Sequence, residues 1–326
     1  MSQDLKDSLP DYLMEIDLSL AEDGVPLHRR PLDAASIFVL EYIIDIRGGT
    51  KNDFLAQPWF ASLFKFVQEW YADKYGAALK SSDPADVGLT VIFGTPFKVK
   101  IPLTLTERGE TPGTVWLCFP NEVLPGEQVV GWVQDPPNLS RLSTEDMSTL
   151  VDEIAWVVAA ARTLHIQLMT AELAQESTKQ LAAAIRAHVT RAIDDICSLE
   201  GARMSLAMWD LFFAVEKALK VYLIQKTGTP LRSHDLEKLV RRAESSGLSP
   251  VDRCHLHAMP SEEEAMQHRY GEIEAPTVEE AAKTYKSALA ILVHCADGLE
   301  RTFGMRNARL LISQAPWTKG RRPDEE

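Results

Sequence analysis

Between Asn138 and Glu200 the chain contains neither glycine nor proline, whereas the stretch from Val87 to Pro137 is punctuated by both. This contrast constrains the fold more than any other feature. Glycine and proline force frequent turns and keep elements short; without them nothing interrupts a long helix. The apolar period changes at the same place, from two to 3.6. Before it, Leu89–Phe93, Phe97–Leu105, Thr114–Phe119 and Gln128–Val133 are rich in Val, Thr, Phe and Trp and predict strands. The Glu107–Gly113 segment predicts a hairpin turn. An antiparallel sheet of about four strands, covered on one face by earlier helices, is the expected solution. After Pro137, Ser143 with Asp146 predicts a helix start. Leu150, Ile154, Val157, Ala161, Leu164 and Leu168 then follow at helical spacing.

That stripe lapses over Gln175–Gln180 and resumes at Leu181, Ile185, Val189, Ile193 and Ile196. One long helix or two remain open, with a break near Gln175–Lys179 preferred. Four helices are expected over 178–198, 203–226, 234–246 and 277–300. A short one is expected within Gly247–Pro276, a loop too long to lack structure, near Val251–His257 or Glu262–Gln267.

Upstream, Trp59, Leu63, Phe66, Val67 and Trp70 predict a helix that ends near Gly76. The apolar run Ile37–Ile46, stopped by Gly48-Gly49, predicts another, although its β-branched content also fits a buried strand. The expected class is α+β and helix-rich, with a small antiparallel sheet in the N-terminal domain and a four-helix bundle at the C-terminal end. The divisions are an acidic, partly ordered lead-in over 1–30, an α+β domain over 31–140, a connecting helix over 141–177, the helical domain over 178–300 and a flexible tail over 301–326.

With 326 residues, 45% apolar and 25% charged, the chain can bury two cores. A net charge of −13 argues against nucleic-acid binding by the whole surface but leaves room for a local basic patch. The N-terminal segment MSQDLKDSLPDYLMEID has no apolar core, so no signal peptide is expected. No apolar stretch reaches membrane-spanning length. Cys118, Cys197, Cys254 and Cys295 are scattered without a CxxC pair, which fits reduced thiols and a cytoplasmic setting.

The segment Leu206–Leu239 reads LAMWDLFFAVEKALKVYLIQKTGTPLRSHDLEKL. It combines an EKALK helix, a Gly-Thr-Pro turn and His234-Asp235-Leu236 at a helix start. Downstream, His268-Arg269-Tyr270 precedes the last helix. Together these resemble the HEPN domain, an all-α module. The resemblance covers about residues 178–300 and implies a four-helix bundle that commonly pairs into a homodimer, with the 144–198 helices as contributors. It says nothing about the N-terminal part. RNase members of that family carry an Arg, four to six residues, then a His. None of the eight histidines here (His28, His165, His188, His234, His255, His257, His268, His294) has such an arginine, and Arg253 to His257 is one residue too close. No catalytic residue is therefore assigned.

Lys217, Lys220, Lys226, Arg232, Lys238, Arg241 and Arg242 stand against Asp235 and Glu237 within residues 217–242, a local net of about +5. With Arg269 and His234 nearby, these would line a groove suited to phosphate. The plainer alternative is a solvated helix surface whose charges pair with acidic neighbours, with His234 simply packing beside a helix capped by Ser233 or Asp235. The expected ligand-binding set is Lys217, Lys220, Arg232, His234, Lys238, Arg241, Arg242 and Arg269. The Arg253-Cys254-His255-Leu256-His257 run matches no zinc spacing, so no metal and no cofactor are expected. Gly48-Gly49-Thr50-Lys51 lacks the full phosphate-loop spacing and reads as a turn.

Three functions follow. The favoured one is a non-catalytic regulatory protein that binds a nucleotide, RNA or partner protein. The others are a divergent ribonuclease of a toxin–antitoxin or phage-defence system, and a purely structural dimerisation module.

Overall fold

The computed structural model describes residues 3–46, 51–79, 85–229 and 232–313. The chain divides into two compact units. One comprises Met1–Asp83, Arg108–Trp116 and Leu311–Glu326; the other comprises Pro84–Glu107 and Leu117–Leu310.

In the first unit, α1 (Gln3–Glu22) buries Leu9, Leu13, Ile16 and Leu20, a stripe at helical spacing. It packs with α2 (Arg30–Ile37) and its π-helical continuation Phe38–Tyr42, and α2 packs in turn with α3 (Pro58–Tyr75). Asp17 is buried on α1. Lys74 (3.0 Å), Arg30 (3.5 Å) and the Tyr75 hydroxyl surround it. Burial opposes ionisation, but the hydrogen bonds from Tyr75 and Lys74 outweigh it and hold the carboxyl below its usual range. Residues 1–30, expected as a lead-in, thus contain a full core helix. Only one residue in four of α1 is needed to line the core, and its acidic outer face hid that stripe. The helix expected over Ile37–Ile46 starts earlier, at Arg30, and its helical turns end at Tyr42. Its proposed stop at Gly48-Gly49 lies outside the described residues. Gly76, with φ of 53°, ends α3 as expected.

In the second unit, β1 (Ala85–Ile92) and β2 (Thr95–Pro102) form an antiparallel hairpin in the register Gly88↔Val99 and Thr90↔Phe97. Phe93 and Gly94 both take positive φ in its two-residue turn. Helix α4 (Thr144–Thr170) lies so close to β1 that a Cβ on Gly88 would fall 2.5 Å from Val157 Cγ1. The expected four-stranded sheet is instead this hairpin and a separate sheet in the order β3 (Leu105–Arg108), β4 (Thr114–Phe119), β5 (Ala308–Ser313), each strand of which has residues in both units. The Glu107–Gly113 turn joins β3 to β4. Gln128–Val133 contains a 3-10 helix, Val129–Trp132, because Gly131 and Val133 bond locally to Gln128 and Val130; only Val133 bridges to a strand, at Val99. Within the expected tail, Ala308–Ser313 forms the strand β5, and the closing TKGRRPDEE lies outside the described residues. The helices on β1 are α4, α5 (Glu176–Cys197) and α10 (Val278–Asp297), all C-terminal to the sheet.

Helix α4 starts at Ser143, whose hydroxyl accepts from Asp146 N, as predicted. The break before α5 is real. Glu172 N–H donates to Glu300 O (2.8 Å), Thr302 N–H donates to Thr170 O (2.9 Å), and Gln225 donates to both Glu172 O and Glu300 O. Backbone groups freed by the break are thus satisfied by the segment after α10. Helix α6 (Gly201–Thr227) is the centre of the bundle and packs on α5, α7 (Leu236–Ser245), α9 (Glu262–Tyr270) and α10. One short helix is expected in this loop at either of two places, and both places hold one, α8 (Arg253–His257) and α9; no strand lies among the described residues 178–300. Among the described residues no helix is long and apolar enough to cross a membrane.

Candidate functional site

Helix α6 is buried on most sides, yet one stripe of it stays partly open: Trp209, Phe213, Lys217 and Lys220. Their spacing of four, four and three places them along one face. Two carboxylates lie beside that stripe, Asp210 at 6% and Glu216 at 3% exposure. A buried carboxylate needs charged or hydrogen-bonding partners, and each of these holds one histidine and one cation. Asp210 Oδ1 is 2.5 Å from His188 Nδ1 and 2.8 Å from the Arg191 guanidinium, both on α5. Glu216 is 2.6 Å from Lys220 Nζ one turn along and 3.0 Å from His234 Nδ1. Phe213 lies between the two histidines, with ring centroids 6.1 Å from His188 and 6.4 Å from His234.

Cations cover the aromatic rings. Lys217 Nζ is 5.3 Å from the Phe213 centroid. Arg269, at the end of α9, places its guanidinium 4.4 Å from the Trp209 ring, and Trp209 and Phe213 are 4.1 Å apart. Arg269 is exposed. It therefore combines a planar surface for stacking with donors for an acceptor oxygen. Arg191, Lys217, Lys220 and Arg269 together outnumber the two carboxylates.

Of the predicted ligand-binding residues, Lys217, Lys220, His234 and Arg269 gather on or beside this stripe. The other four behave differently. Lys238 pairs with Asp235 at 3.1 Å and Arg241 with Glu237, both within the first turns of α7, while Arg232 and Arg242 are exposed. Asp235 is the N-cap of α7. Hydrogen bonds donated to it by Lys238, backbone N–H first and then the ammonium, hold its carboxyl below the usual range. The local charge of about +5 thus overstates the field, because Glu216 lies one residue outside the counted window.

Sequence reasoning missed His188, Arg191, Trp209, Asp210, Phe213 and Glu216. Trp209, Phe213, Glu216 and Lys220 were legible as one helix face. His188 and Arg191 were not, because only packing of α5 on α6 brings them there. Elsewhere, Arg253 pairs with Glu244 at 2.7 Å and His255 Nδ1 is 3.3 Å from Ser287 Oγ. Among the described residues no group of three or more His, Cys, Asp or Glu is placed to hold a metal ion. Gly48, Gly49 and Thr50 lie outside the described residues, and Lys51 Nζ donates to Leu40 O.

The family model described as HEPN domain matches residues 191–297. The C-terminal part of the chain, from the second half of α5 to the end of α10, is therefore a HEPN domain. The match includes Arg191, the whole α6 stripe, His234 and Arg269. It leaves the N-terminal region unassigned. No curated protein and no solved structure matches the chain.

Proposed function

We propose that the HEPN unit is a binding module that takes a phosphate-bearing nucleobase ligand, a nucleotide or short single-stranded RNA, on the α6 stripe and does not cleave it. The observation that carries this reading is the Arg269–Trp209 stack beside Phe213 and Lys217. Nucleobases stack on guanidinium and aromatic planes, and adjacent cations attract phosphate. The N-terminal unit then serves to sense or recruit, and the protein acts as a regulator in the cytoplasm. It works as a homodimer, with exposed Trp156 and Met169 of α4 available to a second copy.

A ribonuclease is the second reading, favoured by one observation: two histidines each oriented by a buried carboxylate, as acid–base groups require. Incubating the full chain with fluorescent single-stranded RNA, with and without a chelator, separates the two. Retarded but intact RNA supports the binding module. Cleavage lost on His188→Ala or His234→Ala supports the enzyme. Light scattering tests the dimer; a monomer at micromolar concentration would refute it.

A further inference from the structure

A cavity of about 850 Å³ opens between the β1–β2 turn, α8 and the first turns of α10. Its walls are mainly apolar: Val91 and Gly94 from the hairpin, Val278 and Ala282 from α10. Cys254 and His255 border it from α8, and His255 is fixed by Ser287. The volume falls within the range typical of small-molecule sites, which combine apolar walls with a few convergent polar groups.

Those polar groups converge from α10. Thr277 and Glu280 form a capping box that satisfies Glu280 N–H. The N–H groups of Val278 and Glu279 have no partner within the helix, since the first intrahelical bond runs from Ala281 N–H to Thr277 O. Lys283 lies one turn along on the same face, exposed and without an ion-pair partner among the described residues. Lys286 also lines the cavity, but Glu153 neutralises it at 2.9 Å. Glu279 shares this face and limits the anionic charge that the site accepts.

We propose that this cavity binds a small amphipathic monoanion, with its apolar body against Val91, Val278 and Ala282 and its carboxylate or sulfonate head at Lys283 and the α10 N-terminus. A polyanion is disfavoured by Glu279, so this ligand class differs from the nucleic ligand of the α6 stripe.

The test uses the full chain and 8-anilinonaphthalene-1-sulfonate, an apolar aromatic with one sulfonate. Cys254 is the exposed thiol; Cys118 and Cys295 are buried and Cys197 is half-buried. Alkylation of Cys254 by iodoacetamide, followed by peptide mass, therefore reports occupancy at the rim without any substitution. Saturable binding that slows Cys254 alkylation is expected. Lys283→Glu should weaken binding about tenfold and Lys283→Arg should retain it, both with unchanged circular dichroism. An alkylation rate that stays the same at saturating probe overturns the proposal, as does binding indifferent to Lys283→Glu.

Discussion

The C-terminal unit buries charge in two places, and they are built to opposite ends. On α4, Arg162 is 0% exposed and four of the five N–H groups of its guanidinium are bonded. It donates to both oxygens of Glu127 (2.8 and 2.7 Å), to Pro102 O and to Glu122 O, and packs over Trp132. Burial opposes ionisation of Glu127, but the bonds from Arg162 and Leu124 N–H keep its carboxyl below the usual range. On α6, only the carboxylates are buried. Of their four partners, Arg191 and His234 are 60% and 54% exposed while His188 and Lys220 are mostly covered, and the neighbouring cations lie over half-buried rings. The first arrangement is closed to solvent and ties loop to helix. The second keeps donors at the surface in fixed positions, as a binding site requires.

The largest effect expected from this contrast is on stability at Arg162. Arg162→Leu leaves the Glu127 carboxylate covered and without its cation, held only by Leu124 N–H, and should cost about 3–5 kcal/mol in chemical denaturation. Adding Glu127→Leu should restore part of that loss. If the single variant unfolds like wild type, the network is not structural.

His165, one turn from Arg162, gives the same side of the contrast a pH signature. Burial, and then the charge of Arg186, lowers its pKa to about 4 from 6.5. Its charged form is thus disfavoured in the folded state. Stability is full above pH 6.5 and falls as pH drops from 6.5 towards 4, by at most about 1.36 kcal/mol per pH unit and less after solvent screening. His165→Leu should flatten this part of the acid melting curve; an unchanged slope would place the acid sensitivity elsewhere.

At α6, Glu216→Gln should cost only about 1–2 kcal/mol, because His234 already faces water and the long Lys220 side chain can extend to it, and the amide still accepts a hydrogen bond. A loss as large as that of Arg162→Leu would make the stripe a second structural network. The smallest effects belong to α7. Lys238→Ala and Arg241→Ala each remove an exposed pair within the helix and should change stability by less than about 1 kcal/mol, measured by the same denaturation.

How far the sequence revealed this contrast follows from the range of each interaction. Ser143 and Asp146, the α3 stop at Gly76 and the α4–α5 lapse are local signals, and each appears in the structure. The HEPN part was legible because EKALK, His234-Asp235-Leu236 and Arg269-Tyr270 are short motifs. The Glu127–Arg162 network was not, since a lone arginine in the apolar stripe of α4 does not name a loop partner 35 residues away. The strand β5 escaped notice for the same reason: it pairs with β4 across most of the chain. In the site, the basic residues stood out by composition, whereas Asp210 and Glu216, which orient the histidines, look like ordinary acidic residues on a helix until α5 and His234 are packed beside them.

The central claim is that the α6 stripe, and not the more visibly basic α7 face, holds the ligand. Fluorescence anisotropy of labelled single-stranded RNA with the full chain at low and moderate salt tests it directly. Trp209→Ala and Arg269→Glu should each weaken binding at least about tenfold with the fold retained. Arg241→Glu with Arg242→Glu should weaken it only a few-fold, through long-range attraction that salt removes. Equal loss from the α7 reversals at moderate salt, or binding indifferent to Trp209 and Arg269, would contradict the account.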